Sequence, residues 1–389
     1  MEELKKICVV TGTRAEYGLL RPLIRRFHAA PKVDLQLVVT GMHLSPEFGL
    51  TYREIEKGGF TITRKVENLL SSDTPVGMAK ATGLGMIGMA DAFADLRPDL
   101  IVLLGDRFEI LAAAVAALYA RIPVAHVHGG ETTEGAFDEG IRHAITKMAH
   151  FHFVAAEPYR RRVLQLGENP EHVQTVGALG IDGIRETKLL NRSELEADLD
   201  FEMGESCLLI TFHPVTLERD SAEAQIDALL SALRVLPETA HFLFTLPNAD
   251  TDGRMIIQKI QTFVAEMPKR AFAATSLGQL RYWSAMQHCA AVVGNSSSGL
   301  LEAPSFGMPT VNIGDRQKGR IAPESVLHCE PNAGSIQDAI FQALDPKTRE
   351  KASQVENPMG DGQACERIFK SLMAADLSDK VLKKVFYSV

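Results

Sequence analysis

Short runs in which nearly every residue is apolar alternate along the chain with longer stretches in which apolar positions recur at helical spacing. Residues 6–11 form the first run, and residues 16–30 follow with Leu19, Leu20, Leu23, Ile24 and Phe27 on one helical face. The same alternation predicts strands at 35–40, 61–66, 100–104, 123–127, 151–155 and 173–176, with helices at 48–57, 75–96 and 109–119. After a polar stretch at 188–205 the pattern restarts. Strands are predicted at 207–211, 241–246, 290–293 and 310–313, helices at 221–236, 253–266 and 298–306, and a mostly helical tail at 361–387. Strands that are apolar throughout and separated by helices point to parallel sheets covered on both faces. The predicted architecture is therefore α/β, with two doubly wound Rossmann-like domains at residues 1–188 and 189–360. A helical tail, 361–389, packs back on the first. No short-period repeat is present, which argues against a solenoid. Doubly wound sheets carry their functional loops at the carboxyl ends of the strands, so the site is expected in the interdomain cleft.

Composition narrows the function classes. Of 389 residues 46% are apolar and 23% charged, as in ordinary globular proteins, so neither disorder nor a disulfide framework is expected. Lys and Arg number 41 against 49 Asp and Glu, a net charge of −8. That diffuse acidity argues against nucleic acid or an anionic membrane as partner, while leaving room for a local basic pocket. The cysteines Cys8, Cys207, Cys289, Cys329 and Cys365 are far apart, without CxxC, and read as reduced thiols. No secretory signal is visible at the N-terminus. The longest uncharged apolar stretch, 110–120, is too short to span a bilayer, so a cytoplasmic protein is expected.

Candidate chemistry sits at the predicted strand ends. Thr11-Gly12-Thr13-Arg14 joins the first strand to the first helix, where open N–H groups and Arg14 suit a phosphate; an ordinary Arg–Glu pair on a solvated turn reads the same residues. The pattern is not GxGxxG, so no dinucleotide fingerprint is supported. Gly105-Asp106-Arg107 closes a central strand, placing a carboxylate for acid–base work or, alternatively, for capping the next helix. His126, His128, Glu131, Asp138, Glu139, Arg142 and His143 crowd one short span. His126 and His128 are spaced i, i+2 on a strand and so face opposite sides, and no zinc spacing is present, so acid–base chemistry is favoured over a metal. His213 follows the first strand of the second half, and Gly294-Asn295-Ser296-Ser297-Ser298-Gly299 leads into a helix carrying Glu302. Small hydroxyl residues before a helix suit a pyrophosphate, and Arg316, Lys318 and Arg320 add cations at the next strand end.

These motifs, in this order, resemble the hydrolysing UDP-N-acetylglucosamine 2-epimerases, particularly the bacterial sialic-acid-pathway type. The similarity runs from Thr11 through Gly105-Asp106-Arg107, His128-Gly129-Gly130-Glu131, Arg142-His143, His213-Pro214 and the serine loop to Gly360-Asp361-Gly362. Ala15 stands where non-hydrolysing relatives usually have Pro. The resemblance implies a glycosyltransferase-B-like fold and a reaction needing neither metal nor cofactor. UDP is eliminated from UDP-N-acetylglucosamine through a 2-acetamidoglucal, and rehydration gives N-acetylmannosamine. A close alternative is the same reaction on a nucleotide-linked 2,4-diacetamido-2,4,6-trideoxyglucose, with discrimination expected near residues 42–45; a non-hydrolysing epimerase or a glycosyltransferase is less favoured. By resemblance, Asp106, Glu131 and Asp138 are acid–base candidates and His213 assists the leaving group. Arg14, Ser296, Ser297 and Arg316 would hold phosphates, Glu302 the ribose, and Asn248 part of the nucleotide, with Arg107, His128, Arg142 and Arg320 also lining the substrate. A homodimer or homotetramer is implied as well.

Overall fold

The structure, a computed structural model, describes residues 4–70, 74–132, 137–214, 222–247 and 253–388. The chain divides into two compact units, one formed by Met1–Gly183 with Gly362–Val389, the other by Ile184–Asp361.

The first unit is built on strands β1 (Lys5–Thr11), β2 (Val33–Thr40), β3 (Arg64–Val66), β4 (Leu100–Leu104), β5 (Val124–Val127), β6 (Phe151–Val154) and β7 (Val173–Thr175). All pair in parallel, in the order β3-β2-β1-β4-β5-β6-β7. Side chains alternate across the sheet, as the pleat requires. Ile7, Val9, Val102 and Leu104 enter one core with Leu20, Leu23 and Phe27 of helix Arg14–Ala29. Cys8, Val10, Ile101 and Leu103 enter the other, with Met89, Phe93, Ile110 and Ala113. The C-terminal helix Ala364–Ala374 completes the first of these cores with Cys365, Ile368 and Leu372. Its open N-terminus is met by Asp182, 2% exposed, whose two oxygens accept from Ala364 N at 2.9 Å and Cys365 N at 2.6 Å. A carboxylate there satisfies orphan donors and opposes the positive end of the helix dipole.

The second unit repeats the plan with β8 (Ser206–Thr211), β9 (Ala240–Thr245), β10 (Ala271–Ala274), β11 (Ala291–Gly294), β12 (Thr310–Ile313) and β13 (Val326–Cys329). Their order is β10-β9-β8-β11-β12-β13, again parallel. Both sheets thus reverse strand order beside their first strand, β1/β4 and β8/β11, and at such a switch point the loops diverge to leave a crevice. Two Rossmann-like units are present, as the sequence pattern predicts. Among the described residues no helix is long and apolar enough to cross a membrane.

Three local expectations are corrected. The helix expected at 48–57 is interrupted: a 3-10 turn, Pro46–Phe48, ends at left-handed Gly49 and Leu50, and the helix spans only Tyr52–Lys57. The helix expected at 298–306 splits into Ser298–Leu301 and a 3-10 turn, Ala303–Phe306, because Pro304 cannot donate within a continuing helix. The polar stretch 188–205 contains a helix, Arg192–Leu199, started by a reciprocal capping box between Asn191 and Glu194.

Candidate functional site

In the first unit the candidate residues lie at the carboxyl ends of β1, β4 and β5. Asp106 does not cap the helix Phe108–Ala120; Arg107 occupies the N-cap without a side-chain bond. Asp106 instead pairs with Arg142, which is almost wholly buried. The same guanidinium donates to the Glu131 carbonyl at 2.8 Å and to Glu139 Oε2 at 3.3 Å. Burial pushes the Asp106 carboxyl up, Arg142 opposes this, and the like charges of Asp138 and Glu131 push it up further. The Asp106 carboxylate therefore sits on Arg142, within the field of the Asp138 and Glu131 carboxylates.

His128 lies beyond the end of β5, with φ of +64°, so it does not simply alternate with His126 on one strand. Its Nε2 accepts from Leu179 N at 3.2 Å, which assigns the proton to Nδ1, 3.0 Å from Glu131 Oε1. His126 is fully buried, with Nε2 2.8 Å from the Gly105 carbonyl oxygen and Nδ1 3.1 Å from Thr146 Oγ1. It ties the ends of β4 and β5 together, with both nitrogens occupied. Among the described residues no group of His, Cys, Asp and Glu could hold a metal ion.

The β1 turn adjoins the β4 turn at the switch point. Arg14 stands exposed there, 3.0 Å from Glu54, the ordinary ion pair that the sequence left open. Beneath the turn lie two carboxyls that sequence reasoning missed. Glu16 Oε2 accepts from Gly12 N at 2.8 Å and Thr13 N at 3.0 Å. Glu109 is fully buried, and its Oε1 accepts from Arg107 Nε at 2.6 Å. Arg107 reaches on to Met42 Sδ at 3.7 Å. A side chain at Gly12 would meet Glu109 at 2.5 Å, so the turn needs glycine to clear that carboxyl. The only sequence signal for Glu16 was the Thr-x-x-Glu spacing of a capping box, which the structure shows formed.

In the second unit Asn295 is the organiser, and it too was missed. Fully buried, it accepts from His213 N through Oδ1 and donates to the His213 carbonyl through Nδ2, both at 2.8 Å. Its own carbonyl accepts from Arg316 Nη1 at 3.0 Å and Gln317 Nε2 at 2.8 Å. His213, Arg316 and the serine loop thus meet on one residue. Gly294 before it has φ of +138°, and a Cβ there would stand 2.0 Å from the Thr211 carbonyl oxygen.

Hydroxyls continue outward from the sheet. Thr245 Oγ1 is 2.6 Å from Thr211 Oγ1, Thr211 is 3.4 Å from Tyr282 OH, and Tyr282 is 2.6 Å from Ser298 Oγ. Ser298 lies 3.0 Å from Ser296 Oγ. Ser297 is the N-cap of Ser298–Leu301, without a side-chain cap. Glu302 is held apart from the serines, accepting from Trp283 Nε1 at 2.9 Å, and burial pushes its carboxyl up. Arg320 is exposed in the loop after β12, and Asn248 lies outside the described residues.

Apart from this geometry, the chain matches a family model. Residues 25–373 match the model described as UDP-N-acetylglucosamine 2-epimerase. The chain belongs to the UDP-N-acetylglucosamine 2-epimerase family. A relative from Campylobacter jejuni, named GDP/UDP-N,N'-diacetylbacillosamine 2-epimerase (hydrolyzing), is 42% identical over 88% of this chain and 88% of its own. Another from Legionella pneumophila, named UDP-N,N'-diacetylbacillosamine 2-epimerase (hydrolyzing), is 36% identical over 98% and 99%. The structure of the Neisseria meningitidis UDP-GlcNAc 2-epimerase bound to UDP-GlcNAc superposes with a TM-score of 0.77. It is 20% identical, over 95% of this chain and 100% of that one. This likeness shows the fold, the two-domain α/β arrangement of glycosyltransferase-B type. The family is the one that the ordered motifs resemble. Both of these relatives are named for a diacetamido sugar rather than for N-acetylglucosamine.

Proposed function

We propose that the protein is a hydrolysing 2-epimerase acting on a nucleotide-linked 2,4-diacetamido-2,4,6-trideoxyhexose. It would convert this substrate and water into the free sugar inverted at C2 and a nucleoside diphosphate. The observation that carries the reading is the Asp106 carboxylate, held by Arg142 in the field of Glu131 and Asp138, in a chain 42% identical to a relative named for that reaction. N-acetylglucosamine, the first expectation from the motifs, becomes the second choice.

The chemistry fits these groups. One carboxylate removes the C2 proton while the C1–O bond to the diphosphate breaks, leaving a C1–C2 double bond. Water then adds at C1, and a carboxylic acid delivers a proton to the opposite face of C2. A pair that alternates between acid and base needs one carboxyl whose proton affinity is raised, and Asp106 meets that need. His213, fixed by Asn295, donates to the departing diphosphate. Ser296 and Ser297 donate hydrogen bonds to it, Arg14, Arg107 and Arg316 neutralise it, Arg320 adds to the field, and Glu302 takes the ribose. His128 and Arg142 hold the carboxylates in register. No cofactor is required, since every step is a proton transfer, an elimination or the addition of water.

A homodimer or homotetramer completes the proposal. It is supported by the apolar side chains of Ile87 and Tyr119, 65% and 81% exposed on the paired helices Pro75–Leu96 and Phe108–Ala120.

The test is incubation with UDP- and GDP-linked diacetamido trideoxyhexoses and with UDP-N-acetylglucosamine, each alone. Release of nucleoside diphosphate with a C2-inverted sugar, fastest from the diacetamido substrate, is expected. Equal or faster turnover of UDP-N-acetylglucosamine would restore the second choice. Return of an epimerised nucleotide sugar, or release only with an added acceptor, would refute hydrolysis.

A further inference from the structure

The two buried carboxyls under the β1 turn take no part in the chemistry just described, yet they touch both loops of the first crevice. Each has one oxygen fully occupied and one, Glu16 Oε1 and Glu109 Oε2, that is buried and that no donor reaches. Two buried carboxylates need two compensating charges or one proton. Among the described residues, Arg107 is the cation that bears on both, and it is paired with Glu109; the Asp138 carboxylate also acts on Arg107 from the helix Phe137–Met148. The β1 turn supplies only the N–H groups of Gly12 and Thr13 to Glu16. The segment after β2 brings Gly41 against Glu109 and places His43 nearby, whose ring nitrogens are taken by Thr11 and Thr51.

We propose that this pair holds a single proton, on Glu16, and that Glu16 and Glu109 so protonated are positioning residues that fix Arg107 and the Arg14-bearing turn for an anionic substrate. Ionised Glu109 anchors the Arg107 guanidinium, and neutral Glu16 keeps its hold on the turn while adding no second negative charge. Burial and the Glu109 charge push the Glu16 carboxyl up to about 8. Above that range the proton leaves, and two like charges compete for one arginine. The guanidinium is then drawn inward, away from the diphosphate. KM should therefore rise on the alkaline side while kcat changes less, because the perturbed interaction is with a charge present in both bound substrate and transition state.

This inference rests on the proposed reaction for its kinetic part only, so the experiment reads the proton independently. In wild-type protein, infrared difference spectra between neutral and alkaline pH should show loss of one protonated-carboxyl carbonyl band. Glu16→Gln should abolish that band, keep neutral-pH kcat/KM within about threefold, and remove the alkaline rise in KM. Glu109→Gln removes the anchor of Arg107 and should raise KM by roughly tenfold or more at neutral pH; with the like charge gone, the carboxyl band should disappear at lower pH. A band unaffected by Glu16→Gln overturns the proton assignment, whether or not any nucleotide sugar turns over. Loss of the band with an unchanged KM profile in an active enzyme overturns the link to Arg107. Should Glu16→Gln fail to fold, the Glu109→Gln spectra decide: a band that does not move refutes the shared proton.

Discussion

Acidification should destabilise the first unit before it affects anything else, because that unit buries neutral histidines. His43, His126, His150 and His152 are each at most 5% exposed. Burial drives their proton affinities down, to about 4 for His43, about 3 for His126 and about 4 for His150, and downward for His152. In the unfolded chain each would take up a proton near 6.5. The folded state therefore gains stability above pH 6.5 and loses it as pH falls toward 4. At pH 5.5 the unfolded chain gains about 1.4 kcal/mol per such histidine, so the three with assigned values contribute about 4 kcal/mol. His152 acts in the same direction, although its bond to Glu168 at 2.8 Å moderates it. Against total stabilities of roughly 5–15 kcal/mol this is a large share. Thermal unfolding followed by circular dichroism should show Tm dropping by roughly 10 °C between pH 7.5 and 5.5. Hydrogen exchange should place the loss in residues 4–183 rather than in 184–361. A Tm constant to within about 2 °C over that range would refute the argument, since the four rings would then have to be protonated inside the fold.

Other outcomes follow from single contacts. Asp106→Asn keeps an acceptor for Arg142 but removes the ionisable group; turnover should fall by about a hundredfold or more while calorimetric affinity for the nucleoside diphosphate holds. Asn295→Ala frees both backbone groups of His213 and should cost about 1–3 kcal/mol in urea unfolding, with a raised KM. Gly294→Ala forces a Cβ against the Thr211 carbonyl in left-handed backbone, and poor soluble yield or a denaturation midpoint shifted by roughly 2 kcal/mol or more is expected. Lys384→Met leaves buried Glu168 with Lys147 as its remaining cation and neutral His152 as a hydrogen-bond donor, and should lower stability by about 1–3 kcal/mol with activity intact.

Much of the fold was legible because its strands are apolar on both faces, a local property. Helices Pro75–Leu96 and Gly253–Glu266 were equally plain, long and bounded by turn residues. Strand β10, Ala-Phe-Ala-Ala, escaped notice because it is a half-exposed edge with little β-branched character. Helix Gly278–His288 was missed with it, and with that helix went Tyr282 and Trp283, which support the serine loop and Glu302. The site was legible as residue types at strand ends, not as contacts. Nothing near Glu109 in the sequence tells that two glycine-bearing turns, 97 and 68 positions away, close over it. Asp106 was ambiguous for the same reason, since its partner Arg142 comes from another helix.

The first unit is assembled from two stretches on either side of Ile184–Asp361, with Asp182 receiving the amide ends of a helix that begins at Ala364. During synthesis on the ribosome that helix emerges only after all of Ile184–Asp361 has left the exit tunnel. The middle of the gene can therefore mature first, while the seven-stranded sheet waits with one flank uncovered. Nascent chains stalled before residue 364 should engage chaperones through that flank, and their release should coincide with the arrival of Cys365, Ile368 and Leu372.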